Sequence, residues 1–389
     1  MADDRDAERA SLLSLAAVFL KLGTIAFGGP TAHIALMEEE FVRRRRWLTQ
    51  HEFLDRLGAA NLIPGPSSTE MAIFIGHRQR GWQGLIVAGC CFIIPAAILV
   101  SAIAAAYVRY GALPQVSGVL YAVKPVVIAV VLQAFWKLAR SAVKTFLLGV
   151  IGVVSAVLLL LGMDNLLVLM AAGMFAAAPV LRRKFSGKSL APAAVPFLRQ
   201  KALTGLLMAA GGVVAAPFNL WRLFLTFLKI GSVLFGSGYV LLAFLRSDFV
   251  LRLHWLTEKQ LLDAVAVGQV TPGPVFTTAT FIGYLLGGAP GAAVATVAIF
   301  LPGFFLVAAS GPLIPKIRRS PVAGAILDGV IVSSLALMGV VTWKLARTAL
   351  VDPLTIAIAC LSAVLLFALR LNAAWLLLAA AIVGVIHRS

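Results

Sequence analysis

The chain contains two copies of one apolar unit, and this duplication constrains its fold more than any other feature. The segment FLKLGTIAFGG, which begins at Phe19, returns as FLKIGSVLFGS from Phe227. In the same way NLIPGPSST, from Asn61, returns as QVTPGPVFT from Gln269. Both pairs are offset by 208 positions, whereas two WKLAR segments further along are offset by 207. A duplicated apolar unit with a helix-breaking segment in each copy is typical of secondary transporters.

The composition independently predicts a membrane protein. Of the 389 residues, 61% are hydrophobic and 13% are charged, whereas soluble proteins have about half and about a quarter. The formal net charge of +17 could indicate nucleic acid, but the basic residues lie between apolar segments and form no single stripe with interleaved aromatic residues. We therefore expect a multi-pass membrane protein that contacts membrane lipids and binds no nucleic acid.

Apolar stretches of about 20 residues, the length that spans a bilayer, predict five crossings in each unit. The first apolar span of each unit is expected near Leu12 to Leu36 and near Trp221 to Leu245. Each unit also contains one broken helical hairpin, from Glu52 to Gly76 and from Glu258 to Gly283. Basic clusters mark cytoplasmic loops, and they flank the first hairpin on both sides, which indicates that it is re-entrant.

The predicted fold is an all-α polytopic membrane protein built from two homologous repeats in inverted orientation. Residues 1–180 form the first repeat, residues 181–219 a basic cytoplasmic linker and residues 220–389 the second repeat. An odd number of crossings in each unit, joined by a cytoplasmic linker, requires opposite insertion. An additional crossing between Gly205 and Ala216 would remove that requirement.

The two Pro-Gly-Pro segments must interrupt helices, because proline lacks an N–H donor and clashes with the preceding turn. In hydrocarbon such a break is tolerated only where protein or a water-filled cavity satisfies the freed backbone groups. A half-helix that begins after the break offers free N–H groups and a positive dipole end to an anion. A hairpin tip without a ligand is the alternative. The predicted substrate site between the repeats contains Asn61, Gly65, Ser67, Ser68 and Thr69 in one unit and Gln269, Gly273 and Thr277 in the other.

Two lysines occupy matched positions inside apolar spans. Lys21 and Lys229 each cost on the order of 3 kcal/mol in a bilayer unless they face a cavity or a partner. They are predicted to supply positive charge to a dianion. Alternatively, each pairs with a carboxylate such as Asp55 or Asp263, which are matched with one another.

Glycines next to the first lysine predict a second break in each unit. Gly28 and Gly29 follow Phe27, and a similar glycine-rich segment follows Phe235. Glycine permits close approach of a backbone to a ligand, so both glycines are included in the predicted substrate site. Close helix packing through small residues is the alternative.

One carboxylate beyond the first break has no acidic counterpart. Glu70 is matched by a threonine, and an isolated intramembrane carboxylate is a candidate for proton coupling. It could equally serve as a fixed counter-ion for Lys21 or Arg78. His33 and His77 are further candidates for a proton relay, with a structural hydrogen-bonding role as the alternative.

No pattern indicates an enzyme. The chain shows no nucleophile with its base, no paired catalytic carboxylates and no GxxxxGK[ST] phosphate loop. Its three cysteines have no metal-binding spacing. We therefore expect neither a cofactor nor a bound metal.

At FGGPTAHIALMEEEFV, NLIPGPSSTEMAIFIG and VTPGP the chain resembles the chromate ion transporter family in its long two-domain form. The resemblance extends from about Phe19 to the C-terminus. It implies a protein of the bacterial inner membrane that exports chromate and has no ATPase domain of its own. The family pattern carries over to Gly28, Gly29 and Pro30, to Asn61 and to both Pro-Gly-Pro segments. One difference is that Ser67 directly follows the first Pro-Gly-Pro, where the family suggests an acid.

The residues alone predict a carrier for a compact anion, and only the resemblance points to chromate. Chromate and sulfate are both tetrahedral dianions that present the same acceptors to hydrogen-bond donors. A carrier or channel for sulfate, or for a phosphate-bearing lipid, is therefore the alternative function. The sequence also leaves a homodimer open.

Overall fold

The computed structural model describes residues 10–27, 29–111, 113–185, 217–235, 240–369 and 371–388, and every regular element within them is a helix. Most of the expected linker lies outside these residues. The alternative crossing between Gly205 and Ala216 therefore also lies outside the described residues.

The described residues form fourteen helices, seven in each half. In the first half these are α1 (Leu12–Ile25), α2 (Gly29–Glu38), α3 (Gln50–Ala60), α4 (Ser67–Tyr110), α5 (Pro114–Ala142), α6 (Phe146–Leu160) and α7 (Asn165–Phe185). In the second half they are α8 (Leu220–Val233), α9 (Leu241–Leu245), α10 (Glu258–Val270), α11 (Thr278–Arg319), α12 (Pro321–Ala349), α13 (Pro353–Phe367) and α14 (Ala373–Arg388). Short π-helical turns extend α2 and α9, at Glu39–Arg44 and Arg246–Arg252.

The helices that lead into the two breaks begin in the same way. Thr49 and Glu52 form a reciprocal capping box at the start of α3, and Thr257 and Gln260 form one at the start of α10. A capping box satisfies two backbone donors that a helix start would otherwise leave free. Local sequence therefore fixes where both hairpin arms begin.

The long helix α4 reverses its direction at Arg80 and Gly81. Both residues have non-helical torsions, and Gly81 has a φ of 55°. A Cβ atom on Gly76 would lie only 2.2 Å from the carbonyl oxygen of Gly84, although eight residues of straight helix rise about 12 Å. The two arms therefore pack antiparallel with their backbones in contact. The second half repeats this arrangement at Gly283, Gly287, Gly288 and Gly291.

The first apolar stretch of the chain, expected near Leu12 to Leu36, consists of two helices. Helix α1 ends at Ile25, Ala26 is extended, and α2 begins at Gly29 with a positive φ of 77°. This confirms the second break predicted from the glycines, although Gly28 itself lies outside the described residues. In the second half, α8 likewise ends at Val233, well short of the predicted end of its span.

The two halves interdigitate. Helices α4 and α11 pack against each other, with α1 against α4 and α8 against α11. Helix α5 packs against α13 and α14 of the other half, and α12 packs in the matching way against α6 and α7. Among the described residues, five helices are long and apolar enough to cross a membrane. The protein is thus an all-α polytopic membrane protein, while the inverted orientation and the re-entrant course of the hairpins stay predictions.

Candidate functional site

Each Pro-Gly-Pro break is hydrogen-bonded to the other half of the molecule. The N–H of Gly65 donates to the carbonyl of Leu234 at 2.8 Å, and the N–H of Gly273 donates to the carbonyl of Ala26 at 2.9 Å. Ala26 and Leu234 directly follow α1 and α8, so the two bonds occupy matched positions. Both glycines have a positive φ, 138° and 90°, which residues with a Cβ rarely adopt. The halves therefore satisfy each other's interrupted backbone at the centre of the protein.

A polar cavity of about 240 Å³ opens beside the first break. A single water needs about 10 to 15 Å³ of such volume, so this cavity admits several waters or a hydrated ion. Its wall includes Asn61 and Ser67, two residues of the predicted substrate site. The wall also carries Lys144, whose ammonium lies 2.8 Å from the carboxylate of Asp328, another lining residue. Three uncharged polar side chains, those of Asn61, Ser67 and Ser141, and one ion pair thus line the chamber.

Glu70 is buried directly behind the first break. It is 0% exposed, and neither carboxylate oxygen has a hydrogen-bond partner within the part of the chain that the structure describes. A Cβ atom on Gly65 would lie 2.3 Å from its Oε1, and one on Gly303 of α11 would lie 3.7 Å from its Cγ. The carboxyl therefore fills the space between the break and the other half. The predicted alternative of a counter-ion is wrong for Arg78, which pairs instead with Glu52 at 3.6 Å.

His33 connects the two breaks through its ring. Its Nε2 lies 3.0 Å from the carbonyl of Ala26, the same oxygen that accepts from Gly273, and its Nδ1 lies 3.2 Å from the hydroxyl of Ser68. A carbonyl can only accept, so we assign the proton to Nε2 and the role of acceptor to Nδ1. His33 is 1% exposed. The predicted structural role is therefore present, and a relay role is compatible with the contact to Ser68.

His77 lies apart from this cluster. It precedes the reversal of α4 and packs edge-on against Trp82, with ring centroids 6.3 Å apart. Seven residues separate it from Glu70, which is about 10 Å along a helix. The structure therefore does not bring His77 to the break.

At the second break the threonine hydroxyls are hydrogen-bonded to nearby carbonyls, and the adjoining gap is small. The hydroxyls of Thr277 and Thr278 each donate to a main-chain carbonyl three residues earlier, at 2.8 Å. The gap beside Gln269 measures only about 10 Å³. In contrast, Thr69, which matches Thr277, is buried with no partner for its hydroxyl among the described residues. The open polar chamber therefore belongs to the first break.

The two matched lysines lie beside acids on the π-helical turns. The ammonium of Lys229 lies 2.6 Å from the carboxylate of Asp248. Glu40 stands at the matched position and accepts from Arg45 at 2.6 Å. Burial raises the pKa of Glu40, but the hydrogen bond and charge of Arg45, together with nearby charges that include Lys21, hold that pKa below its usual value. The acids near the lysines are thus Asp248 and Glu40.

The carboxylates that the sequence suggested as lysine partners are bound elsewhere. Asp55 pairs with His51 at 3.1 Å. Asp263 is 0% exposed, pairs with Lys124 at 2.7 Å and accepts from the Tyr107 hydroxyl at 2.8 Å. Sequence reasoning assigned neither Lys124 nor Lys144 to the site. Lys124 could have been found by the rule that singled out Lys21, because it too is a lysine inside an apolar span.

Comparison with known proteins agrees with these features. The family model described as Chromate transporter matches the chain twice, over residues 13–178 and 221–385. The chain belongs to the chromate transporter family. This confirms the resemblance and the location in a membrane, and it makes the protein a membrane transporter. Among the described residues, no group of three or more acidic, histidine or cysteine side chains could hold a metal ion.

Three relatives cover nearly the whole chain. A chromate transport protein of Cupriavidus metallidurans is 33% identical over 383 residues, which are 97% of this chain and 93% of that protein. A probable chromate transport protein of Synechococcus elongatus is 32% identical over 97% of this chain and 96% of its own. A chromate transport protein of Pseudomonas aeruginosa is 32% identical over 95% and 91%. No solved structure matches the chain.

Proposed function

We propose that the protein is a secondary transporter that exports chromate across the bacterial inner membrane, and that chromate binds between the two halves where the half-helices begin. The observation that carries this proposal is the polar cavity at the first break, which combines Asn61 and Ser67 with the ion pair of Lys144 and Asp328. The relatives named as chromate transport proteins supply the choice of anion.

The start of α4 suits a tetrahedral dianion. The N–H groups of Thr69 and Glu70 bond to the carbonyl of Pro66, which leaves Ser67 and Ser68 as the first-turn donors. A helix start carries about half a positive charge, and it lies at the cavity wall through Ser67. An anion in the cavity would therefore meet free donors and a dipole end, and it would compete with Asp328 for Lys144.

Glu70 would couple transport to protons. An ionised carboxylate buried without a partner costs several kcal/mol, so the conformation described here holds the neutral acid. Ionisation would place a negative charge directly behind the first turn of α4 and repel a dianion. Proton binding and anion binding would thus depend on one another.

Uptake of labelled chromate into inverted vesicles tests the proposal. We expect saturable uptake that responds to an imposed pH gradient and that Asn61→Ala reduces. Parallel uptake of labelled chromate and labelled sulfate identifies the substrate, because a chromate transporter has the higher kcat/KM for chromate, whereas a sulfate transporter has the higher kcat/KM for sulfate. Absence of saturable uptake under any gradient would refute a carrier for chromate.

A further inference from the structure

The cavity at the first break has a counterpart in the second repeat, and that counterpart is closed. Asn61 and Ser67 line the open cavity together with Ile331 of α12. The matched residues in the other half are Gln269, Val275 and Lys124. Gln269 and Val275 border only the gap of about 10 Å³. The same set of positions is therefore open in one half and closed in the other.

Lys124 is the residue of this matched set that carries a charge where its counterpart is apolar. An isoleucine occupies its position in the open cavity, whereas Lys124 is 13% exposed and paired with the fully buried Asp263 at 2.7 Å. The hydroxyl of Tyr107 binds the second oxygen of Asp263 at 2.8 Å, and the Tyr107 ring packs on Phe281 at 5.3 Å. Helices α4, α5 and α10 are thereby joined by one buried ionic cluster.

The open cavity lies at the C-terminal end of α5, whereas the cluster lies nearer the middle of this helix, ten residues after it begins. Lys124 precedes Leu138, which borders the cavity, by 14 residues of α5, or about 20 Å of helix. Beside the cavity, the pair of Lys144 and Asp328 is accessible, with side chains 60% and 34% exposed. In the cluster, the pair of Lys124 and Asp263 is enclosed, with side chains 13% and 0% exposed. One pair is thus open to a cavity and the other is sealed.

We propose that Tyr107, Lys124 and Asp263 form the closed gate of a second cavity, and that Lys124 becomes the cation of this cavity for the departing oxyanion once the gate opens. This inference rests on the proposed transport function. Carriers built from inverted repeats alternate access by rocking or gating one repeat against the other around the site, so matched positions in the two repeats would exchange open and closed surroundings. Asp55 matches Asp263, and its side chain is 48% exposed. Asp55 therefore shows the exposed surroundings that Asp263 would have in the other access state. Opening would give Asp263 that exposure and free Lys124.

Cysteine labelling tests the gate without any transport assay. Gln269→Cys would be introduced after Cys90, Cys91 and Cys360 have been replaced by serine, and a membrane-impermeant maleimide would be added from each side of the membrane. Asp263→Asn should accelerate labelling of Gln269→Cys by about 10-fold or more, as expected for loss of a charged hydrogen bond. The label should enter from the face opposite to that which reaches Ser67→Cys.

Two further variants keep the test decisive. Asp55→Asn is the matched control and should leave the labelling rate unchanged. Tyr107→Phe keeps the ring and removes one hydrogen bond, so it should accelerate labelling by about 3- to 10-fold even if Asp263→Asn fails to fold. An unchanged rate in every folded gate variant would overturn the inference, and so would entry from the face that reaches Ser67→Cys. A transporter of some other anion would still show the predicted labelling, so failure of the chromate assignment is distinguishable.

Discussion

The two Pro-Gly-Pro breaks share one backbone frame and differ in their chemistry. Each donates a glycine N–H to the other half, at 2.8 and 2.9 Å. Behind the first break lies the buried Glu70, with an open polar cavity beside it. Behind the second lies Thr278, whose hydroxyl is satisfied by its own helix turn. The comparison shows that one backbone arrangement can hold different side chains behind each break, a buried acid in one half and a hydrogen-bonded threonine in the other.

The difference extends to what faces each break. Gly303 of α11 lies opposite Glu70 and leaves room for its carboxyl. The matched residue, Ala96 of α4, lies opposite Gly273, where a Cβ would be 2.6 Å from that of Ala96. In the second half the methyl group of Ala96 thus fills the space that corresponds to the one occupied by the Glu70 carboxyl in the first half. The predictions below test this asymmetry.

The largest expected effect comes from Glu70→Gln. Glutamine imitates the protonated acid and cannot release a proton, so chromate binding should persist while the dependence of transport on a pH gradient disappears. Vesicle uptake with and without the gradient measures this. Thr278→Val, at the matched position, should retain the wild-type gradient dependence. A folded Glu70→Gln protein with normal gradient dependence would remove Glu70 from coupling.

The second prediction compares Gly273→Ala with Gly65→Ala. Both place a Cβ at a positive φ, which costs about 1 to 2 kcal/mol. At Gly273 the new atom also meets the Ala96 Cβ at 2.6 Å and a backbone oxygen of Gly23 at 3.2 Å, whereas at Gly65 it meets only the movable end of Glu70. We expect Gly273→Ala to lose about 3 kcal/mol in stability and Gly65→Ala less. Melting temperatures in detergent measure both, and equal losses would contradict the asymmetry.

The third prediction concerns the matched lysines. If Lys21 and Lys229 add positive charge to the substrate site, Lys21→Gln and Lys229→Gln should each reduce transport by about 10-fold, as expected for a charged hydrogen-bond donor. Uptake normalised to the amount of protein in the membrane measures this. Normal transport by the double variant would limit both lysines to structural pairing with the acids of the π-helical turns.

The smallest expected effect separates the amides before the breaks. Asn61 lines the open cavity and Gln269 the closed gap. Asn61→Ala should weaken chromate binding from the open side by about 5-fold, the effect of one ordinary hydrogen bond, and Gln269→Ala should leave it nearly unchanged. Equilibrium binding to protein in one-sided vesicles measures both, and equal losses would mean that both breaks are open together.

Sequence alone predicted the breaks because proline and glycine act locally. It placed the new half-helix at Ser67 correctly, since a helix can restart after Pro66. It did not predict that Gly65 bonds to Leu234, because that contact depends on how two distant segments approach in space. For the same reason it offered Asp263 only as an alternative partner of the matched lysines, whereas the fold brings Lys124 to this acid. Matched spacing shows which residues correspond, and packing decides which residues meet.

The central claim is that the two breaks open to opposite sides of the membrane. Its most direct test is the sidedness of labelling at Ser67→Cys and at the matched Val275→Cys, with a membrane-impermeant maleimide applied to intact cells and to inverted vesicles. The account predicts that Ser67→Cys reacts only from the cytoplasmic side. Val275→Cys should react only from the outside and more slowly. Reaction of both cysteines from the same side under every condition would contradict it.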